Sequence, residues 1–170
     1  MKKVLMIIAS HDFRDEEYAE PRAAFEEEGW QVTVASSSVN VSKGMLGLEV
    51  KPDILIKDVK VDDYDLVVYV GGYGSQEYFQ DATAHKIAQK TLEKNKVLGA
   101  ICVAPSILAN AGLLKGVQAT CFSSERGNLE AKGAQVSANP VEKSGNIITA
   151  EGPKAAKAFG KTLVDTLKKS

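Results

Sequence analysis

Short runs of unbroken hydrophobicity, each followed by an amphipathic segment, recur along most of this chain, and that rhythm constrains its fold more than any other feature. The first run, VLMIIAS (residues 4–10), shows no alternation of polar and apolar side chains, so as a strand it must be covered on both faces. DEEYAEPRAAFEEEGW (15–30) follows, with acids in its first turn and Gly29 at its stop, which is the pattern of a helix. QVTVAS (31–36), YDLVVYV (64–70) and KVLGAI (96–101) read as further buried strands. DATAHKIAQKTLEKN (81–95) and APSILANAGLL (104–114) read as helices between and after them. Residues 40–60 break the rhythm with glycines, a proline and short alternating runs, and predict a small β-hairpin excursion. In the last third VQATCF (117–122), AQVS (134–137) and NIITA (146–150) read as strands, and residues 152–169 close the chain as an amphipathic helix. Strand–helix alternation of this kind predicts an α/β fold, with a mostly parallel sheet and helices on both faces.

Length and charge bound the function. A chain of 170 residues without an internal linker or repeat is expected to form one domain over residues 1–170. A formal net charge of -1, with no basic patch interleaved with aromatics, gives no reason to expect a nucleic-acid partner. MKK before an apolar run resembles a secretory leader, but the run is short and leads straight into HDFRDEE, so it is read as the first strand. No run is long enough to span a membrane. The two cysteines, Cys102 and Cys121, form no CxxC pair and have no histidine neighbours. That predicts neither a disulfide scaffold nor a metal site, and it fits the reducing cytoplasm.

Cys102 lies where a strand meets a helix, in Ala100-Ile101-Cys102-Val103-Ala104. Small residues two before and two after are what a nucleophile elbow needs, because the tight turn brings the flanking backbone too close for bulky side chains. Pro105 suits the first turn of the following helix, whose start would favour a thiolate. A buried core cysteine fits the same spacing equally well. Two other segments leave strands on the same predicted sheet edge, where open α/β sheets place their binding crevice. One is YVGGYG (69–74), in which Gly71 and Gly72 can turn backbone N–H groups toward a site. The other is DFRDEEYAEP (12–21), in which Glu16 and Glu17 open a helix.

These residues resemble the ThiJ/PfpI family, within the class I glutamine amidotransferase-like superfamily. The resemblance runs through FRDEEYAEP, GMLGLEVKPD, YDLVVYVGG, AICVAPSILANAGLLKG and NIITAEGPKAAKAFGKTLVDTL, nearly the whole chain. It implies a flavodoxin-like, doubly wound sheet with a nucleophile elbow at Cys102. It implies that Cys102 is the reactive cysteine, that Glu17 hydrogen-bonds its sulfur as a protonated carboxyl, and that Gly72 and the amide of Val103 supply oxyanion donors. Glu16 precedes the motif glutamate and is read as a solvated acid. The resemblance also implies a homodimer or a higher homo-oligomer, and no cofactor.

Three departures narrow the chemistry that the resemblance implies. The peptidase-like branch places histidine after the elbow cysteine, and Val103 cannot move a proton. The amidotransferases carry a late histidine, and this chain has none after His85. The deglycase-like branch accepts an apolar residue after the cysteine, but its RGP turn reads Glu151-Gly152-Pro153 here, and Phe122 stands where a polar pocket residue is usual. The expected function is therefore a cysteine-dependent reaction on a small reactive carbonyl or its adducts. A redox-sensing stress protein is the alternative, and an intracellular cysteine peptidase is disfavoured. Gly71, His11, Tyr18, Phe122 and Cys121 are the expected pocket residues. His11 reads more simply as a loop residue, Tyr18 as a helix residue and Cys121 as core, with a resolving thiol as its minor alternative.

Overall fold

A computed structural model describes residues 1–170, and its elements follow the rhythm of the sequence. In chain order they are β1 (Lys3–Ile7), α1 (Asp15–Glu27), β2 (Gln31–Ser36), β3 (Ser42–Lys43), β4 (Glu49–Val50), β5 (Ile54–Leu55), β6 (Leu66–Tyr69) and α2 (Ala82–Glu93). After these come β7 (Val97–Ile101), α3 (Pro105–Asn110), β8 (Gln118–Ala119), α4 (Arg126–Ala131), β9 (Gln135–Val136), β10 (Val141–Ser144), β11 (Ile147–Ala150) and α5 (Ala156–Lys168).

A seven-stranded sheet in the order β10-β11-β7-β6-β1-β2-β5 forms the centre. All its pairings are parallel except β10 with β11. The unbroken apolar runs are buried on both sides, as expected. Val4, Met6 and Ile8 pack with Leu66, Val68, Phe25, Phe159 and Leu163, so α1 and α5 cover one face. Leu5, Ile7, Val67 and Tyr69 pack with Ala84, Ile87, Ile107, Leu108 and Leu129, so α2, α3 and α4 cover the other. The hairpin excursion is β3 paired antiparallel with β4.

One sequence expectation is corrected, and one strand is added. VQATCF and AQVS do not join the main sheet. Only Gln118–Ala119 and Gln135–Val136 are strand, paired with each other in a separate two-stranded sheet. The edge beyond β11 is taken instead by β10, whose VEKS sequence carries no apolar run because an edge strand keeps part of each side in water.

The topology fixes where a site can form. From β1 the chain moves to β2 and β5 on one side, then returns to β6, β7 and β11 on the other. The order reverses between β1 and β6, and the loops leaving their C-terminal ends part there, opening the crevice of a doubly wound sheet. The register Ile7↔Tyr69, Tyr69↔Ala100 and Ile101↔Ala150 brings the ends of all four strands to that edge.

Candidate active site

The crevice floor is built from four chain segments joined in two pairs by backbone hydrogen bonds. The Arg14 N–H donates to the Gly71 carbonyl (2.9 Å), the Gly74 N–H to the Asp12 carbonyl (2.9 Å), and the Cys102 N–H to the Ala150 carbonyl (2.9 Å). Cys102 directly follows β7 with φ 67, one of three non-glycine residues with positive φ. A side chain held there costs about 1–2 kcal/mol, and the turn lifts Cys102 out of the strand just before Pro105 opens α3. This is the backbone conformation that a nucleophile elbow uses. Cys102 is 7 % exposed.

The three acids that open α1 have three different surroundings. Asp15 accepts from the N–H groups of Leu46 (3.0 Å) and Leu48 (2.8 Å), and so ties the β3–β4 hairpin to the site. Glu16 is not simply solvated, as its place at the helix start had implied. It holds Arg14 in a fork, with Nε to Oε1 at 2.8 Å and Nη2 to Oε2 at 3.0 Å, which lowers the carboxyl's pKa and raises the guanidinium's. Glu17 is fully buried, and neither of its oxygens meets a partner at full hydrogen-bonding geometry. Its nearest polar neighbours are the Cys102 thiol and the Gly71 N–H. Burial therefore dominates and lifts its pKa to about 8, leaving the carboxyl mostly protonated at neutral pH.

Gly71 and Gly72 are required by this packing. A Cβ on Gly71 would lie 2.4 Å from Glu17 Oε1 and 2.7 Å from Cys102 Cβ, so any side chain would part the acid from the thiol. Gly72 has φ 108, and a Cβ there would lie 2.3 Å from the Arg14 nitrogen. The N–H groups of Gly72 and Val103 are directed at the Cys102 sulfur and favour its anion. They are outweighed: burial first, then a charged Glu17, push the thiol well above its usual value. The lowering expected at the helix start is outweighed by burial of the sulfur.

Beside this cluster lies a cavity of about 620 Å³. Cys121 and Phe122 line it, together with Arg14, Glu16, Arg126 and Glu151. The Phe122 N–H donates to the Cys102 carbonyl (2.8 Å), so the cavity wall is one backbone hydrogen bond from the elbow. Burial pushes the Cys121 thiol up to about 11, against the opposing influence of Arg126, and keeps it protonated.

Other expected pocket residues lie elsewhere. Tyr18 packs edge-on against Phe13 (5.7 Å) with the Arg22 guanidinium over its ring, in the core rather than in the cavity. His11 points to solvent, its side chain 71 % exposed and its Nδ1 3.5 Å from Asp12 Oδ2. His85, not among the expected pocket residues, lies on α2 and is held by the Phe79 carbonyl (2.8 Å). Sequence reasoning missed Arg14 and Arg126. The first stands beside acids that looked like helix-start charges, and the second lies in α4, which has no clear periodicity. No group of three or more His, Cys, Asp or Glu side chains is placed to hold a metal ion, and no helix is long and apolar enough to cross a membrane.

A model of the DJ-1/PfpI family matches residues 2–166. The chain belongs to that family. Within it, the chain is 42 % identical to an uncharacterised protein of Methanocaldococcus jannaschii, over 99 % of this chain and 83 % of that one. It is 29 % identical to the deglycase PfpI of Pyrococcus furiosus (96 % and 99 % covered) and 31 % identical to general stress protein 18 of Bacillus subtilis (99 % and 100 % covered). Among solved structures, a ThiJ/PfpI domain protein from Brachyspira murdochii superposes with a TM-score of 0.97 at 31 % identity, covering 99 % of this chain and 97 % of that one. The mostly parallel, flavodoxin-like architecture is thus that of the DJ-1/PfpI family.

Proposed function

We propose that this DJ-1/PfpI protein is a cofactor-independent enzyme that uses Cys102 to act on small reactive carbonyls, such as methylglyoxal, or on their adducts with protein or nucleotide. The observation that carries this reading is the apposition of Cys102, at a strained turn with φ 67, to a fully buried Glu17 that keeps its proton at neutral pH. Both contributions by which Glu17 raises the thiol require it to be charged. With the proton on Glu17 they vanish, and the carboxyl becomes a hydrogen-bond donor to the sulfur. The two groups titrate as one unit, and the reactive form has its negative charge on sulfur and its proton on Glu17.

In that form the thiolate adds to the aldehyde carbon, and the carbonyl π pair becomes an alkoxide held by the Gly72 and Val103 N–H groups. The proton of Glu17 passes to this oxygen. The carboxylate left behind removes the hydrogen from the thiol-bearing carbon, giving an enediol, and returns it to the neighbouring carbon while the hydroxyl proton moves from the first oxygen to the second, giving a hydroxy-acyl thioester. Water then cleaves the C–S bond, and the products are lactate and the free thiol, so the sum is methylglyoxal plus water. No step needs a base at position 103. The same valine speaks against a peptidase of the branch that places a histidine base after its cysteine, because Val103 cannot move a proton. Both cysteines are free thiols, which supports a cytoplasmic setting.

The test is lactate formation from methylglyoxal by wild type, Cys102→Ala and Glu17→Gln. Turnover is expected in wild type alone, with each variant slower by a factor of about 10² or more. Wild-type turnover no greater than that of free thiols overturns the reading.

A second reading is a redox-responsive stress protein in which Cys102 is oxidised to a sulfinic acid that Glu17 holds. Similarity to a general stress protein supports it. It predicts rapid peroxide uptake at Cys102, seen as two added oxygen atoms by mass spectrometry, without carbonyl turnover.

A further inference from the structure

The cavity beside Cys102 is charged in an uneven way. Glu16 spends both its oxygens on Arg14, at 2.8 and 3.0 Å, which leaves Arg14 Nη1 unengaged. Arg126 gives Nη1 to the Ser137 carbonyl (2.8 Å), a neutral acceptor, and forms no ion pair. Lys154 lines the same cavity, also unpaired. Against the two free cations, Arg126 and Lys154, stands a single unpaired carboxylate, Glu151. With Glu17 neutral and Glu16 already matched by Arg14, the residues lining the cavity carry a positive surplus that no ion pair takes up, although Glu125 and Glu130 lie near enough to Cys121 to oppose Arg126. Arg14 lies close enough to the thiol to respond to the charge on Cys102 and Glu17. A guanidinium with free N–H groups presents a planar donor edge that fits a carboxylate and discriminates poorly among neutral molecules.

We infer that the site favours a 1,2-dicarbonyl compound that also carries a carboxylate over a neutral one such as methylglyoxal, and that Arg126 and the free edge of Arg14 receive the carboxylate while the aldehyde carbon faces the sulfur. Glu151 sets the limit of this preference by opposing a second negative charge. The inference rests on Cys102 being the reactive thiol, and it names the substrate class of that site.

Paired alkylating reagents test it without relying on turnover. Iodoacetate and iodoacetamide are nearly isosteric and react alike: the thiolate sulfur displaces iodide, a C–S bond forms and the C–I bond breaks. Only iodoacetate carries the carboxylate. The rate of each at Cys102, located by peptide mass spectrometry, is compared with its rate at N-acetylcysteine under the same conditions. The iodoacetate/iodoacetamide ratio is expected to exceed that of N-acetylcysteine. It should fall about threefold to tenfold in Arg126→Gln and in Arg14→Gln, and rise in Glu151→Gln. In wild type, which needs no folding control, 0.5 M salt should collapse it toward the free-thiol value. If the arginines only promoted thiolate formation, both rates would fall together and the ratio would stay fixed, which overturns the inference. A wild-type ratio equal to that of N-acetylcysteine overturns it too, while leaving the reactive thiol intact. Failure of both reagents to label Cys102 in the folded protein overturns the underlying reading and this one with it.

Discussion

Burying Glu17 without a partner of good hydrogen-bonding geometry costs the fold free energy, and the cost depends on pH. The group has an ordinary pKa of 4.5 and a folded one of about 8. Between those values the folded protein holds a proton that the unfolded chain has released, so stability falls as pH rises, by at most about 1.4 kcal/mol per pH unit. Below pH 4.5 the contribution is fully present, and above about 8 it is lost. Glu17→Gln keeps the shape and removes the titration. Its unfolding free energy, measured by urea denaturation from pH 5 to 8, should lack this slope and exceed that of wild type by up to about 3 kcal/mol at pH 7. Two parallel curves would mean that Glu17 is ionised in the fold. Such a residue is only half legible in sequence. Asp15, Glu16 and Glu17 are equivalent as helix-start acids, and only the packing shows that one grips a hairpin, one grips Arg14 and one faces a thiol. Cys102 was easier to place, because the small residues around it are a steric requirement of the turn itself.

Among the elements, α1 carries Glu17 into the site and is braced by only one neighbour helix. The brace is α5, and the two pack tightly at Gly160, where a Cβ would lie 2.9 Å from Pro21 Cα of α1. Backbone cannot yield as a side-chain tip can, so Gly160→Ala must push the helices apart. The expected cost is about 1–3 kcal/mol in thermal or urea unfolding, despite the better helix propensity of alanine. A gain in stability would show that the approach is not limiting. The elements that sequence revealed are those with a strong period or an unbroken apolar run, such as β1, β6, β7 and α5. Those it missed lack both. β10 alternates buried Glu142 with exposed Lys143 at the sheet edge and has no apolar run, and α4 spans only Arg126–Ala131, while β8 and β9, expected as longer strands, form only two residues each. That blind region supplies Arg126, half of the proposed carboxylate site.

At the scale of the whole molecule, the surface is unevenly apolar, and the imbalance falls beside the crevice. Val41, Met45, Leu46 and Tyr73 are 53, 44, 65 and 68 % exposed. The first three sit in the stretch holding β3 and β4, and the Tyr73 N–H lies 3.5 Å from Met45 Sδ, which joins the fourth to them. A contiguous apolar surface of this kind marks an interface. Within it Lys43 and Glu49 face each other across the hairpin, so a two-fold axis through the patch would set each charge against its opposite on a second copy. We therefore expect a homodimer closed through this hairpin, with a mass by sedimentation equilibrium of twice 18.2 kDa. Leu46→Lys, at the most exposed of the hairpin positions, should shift the equilibrium toward monomer by roughly a hundredfold or more in Kd, as expected when a charge is buried in an apolar contact. Because Asp15 grips the same hairpin two residues from Glu17, the monomer should also turn over carbonyl substrate more slowly. A Leu46→Lys protein that remains dimeric would move the interface elsewhere. A monomeric wild type at micromolar concentration would leave the apolar hairpin without a second copy to cover it.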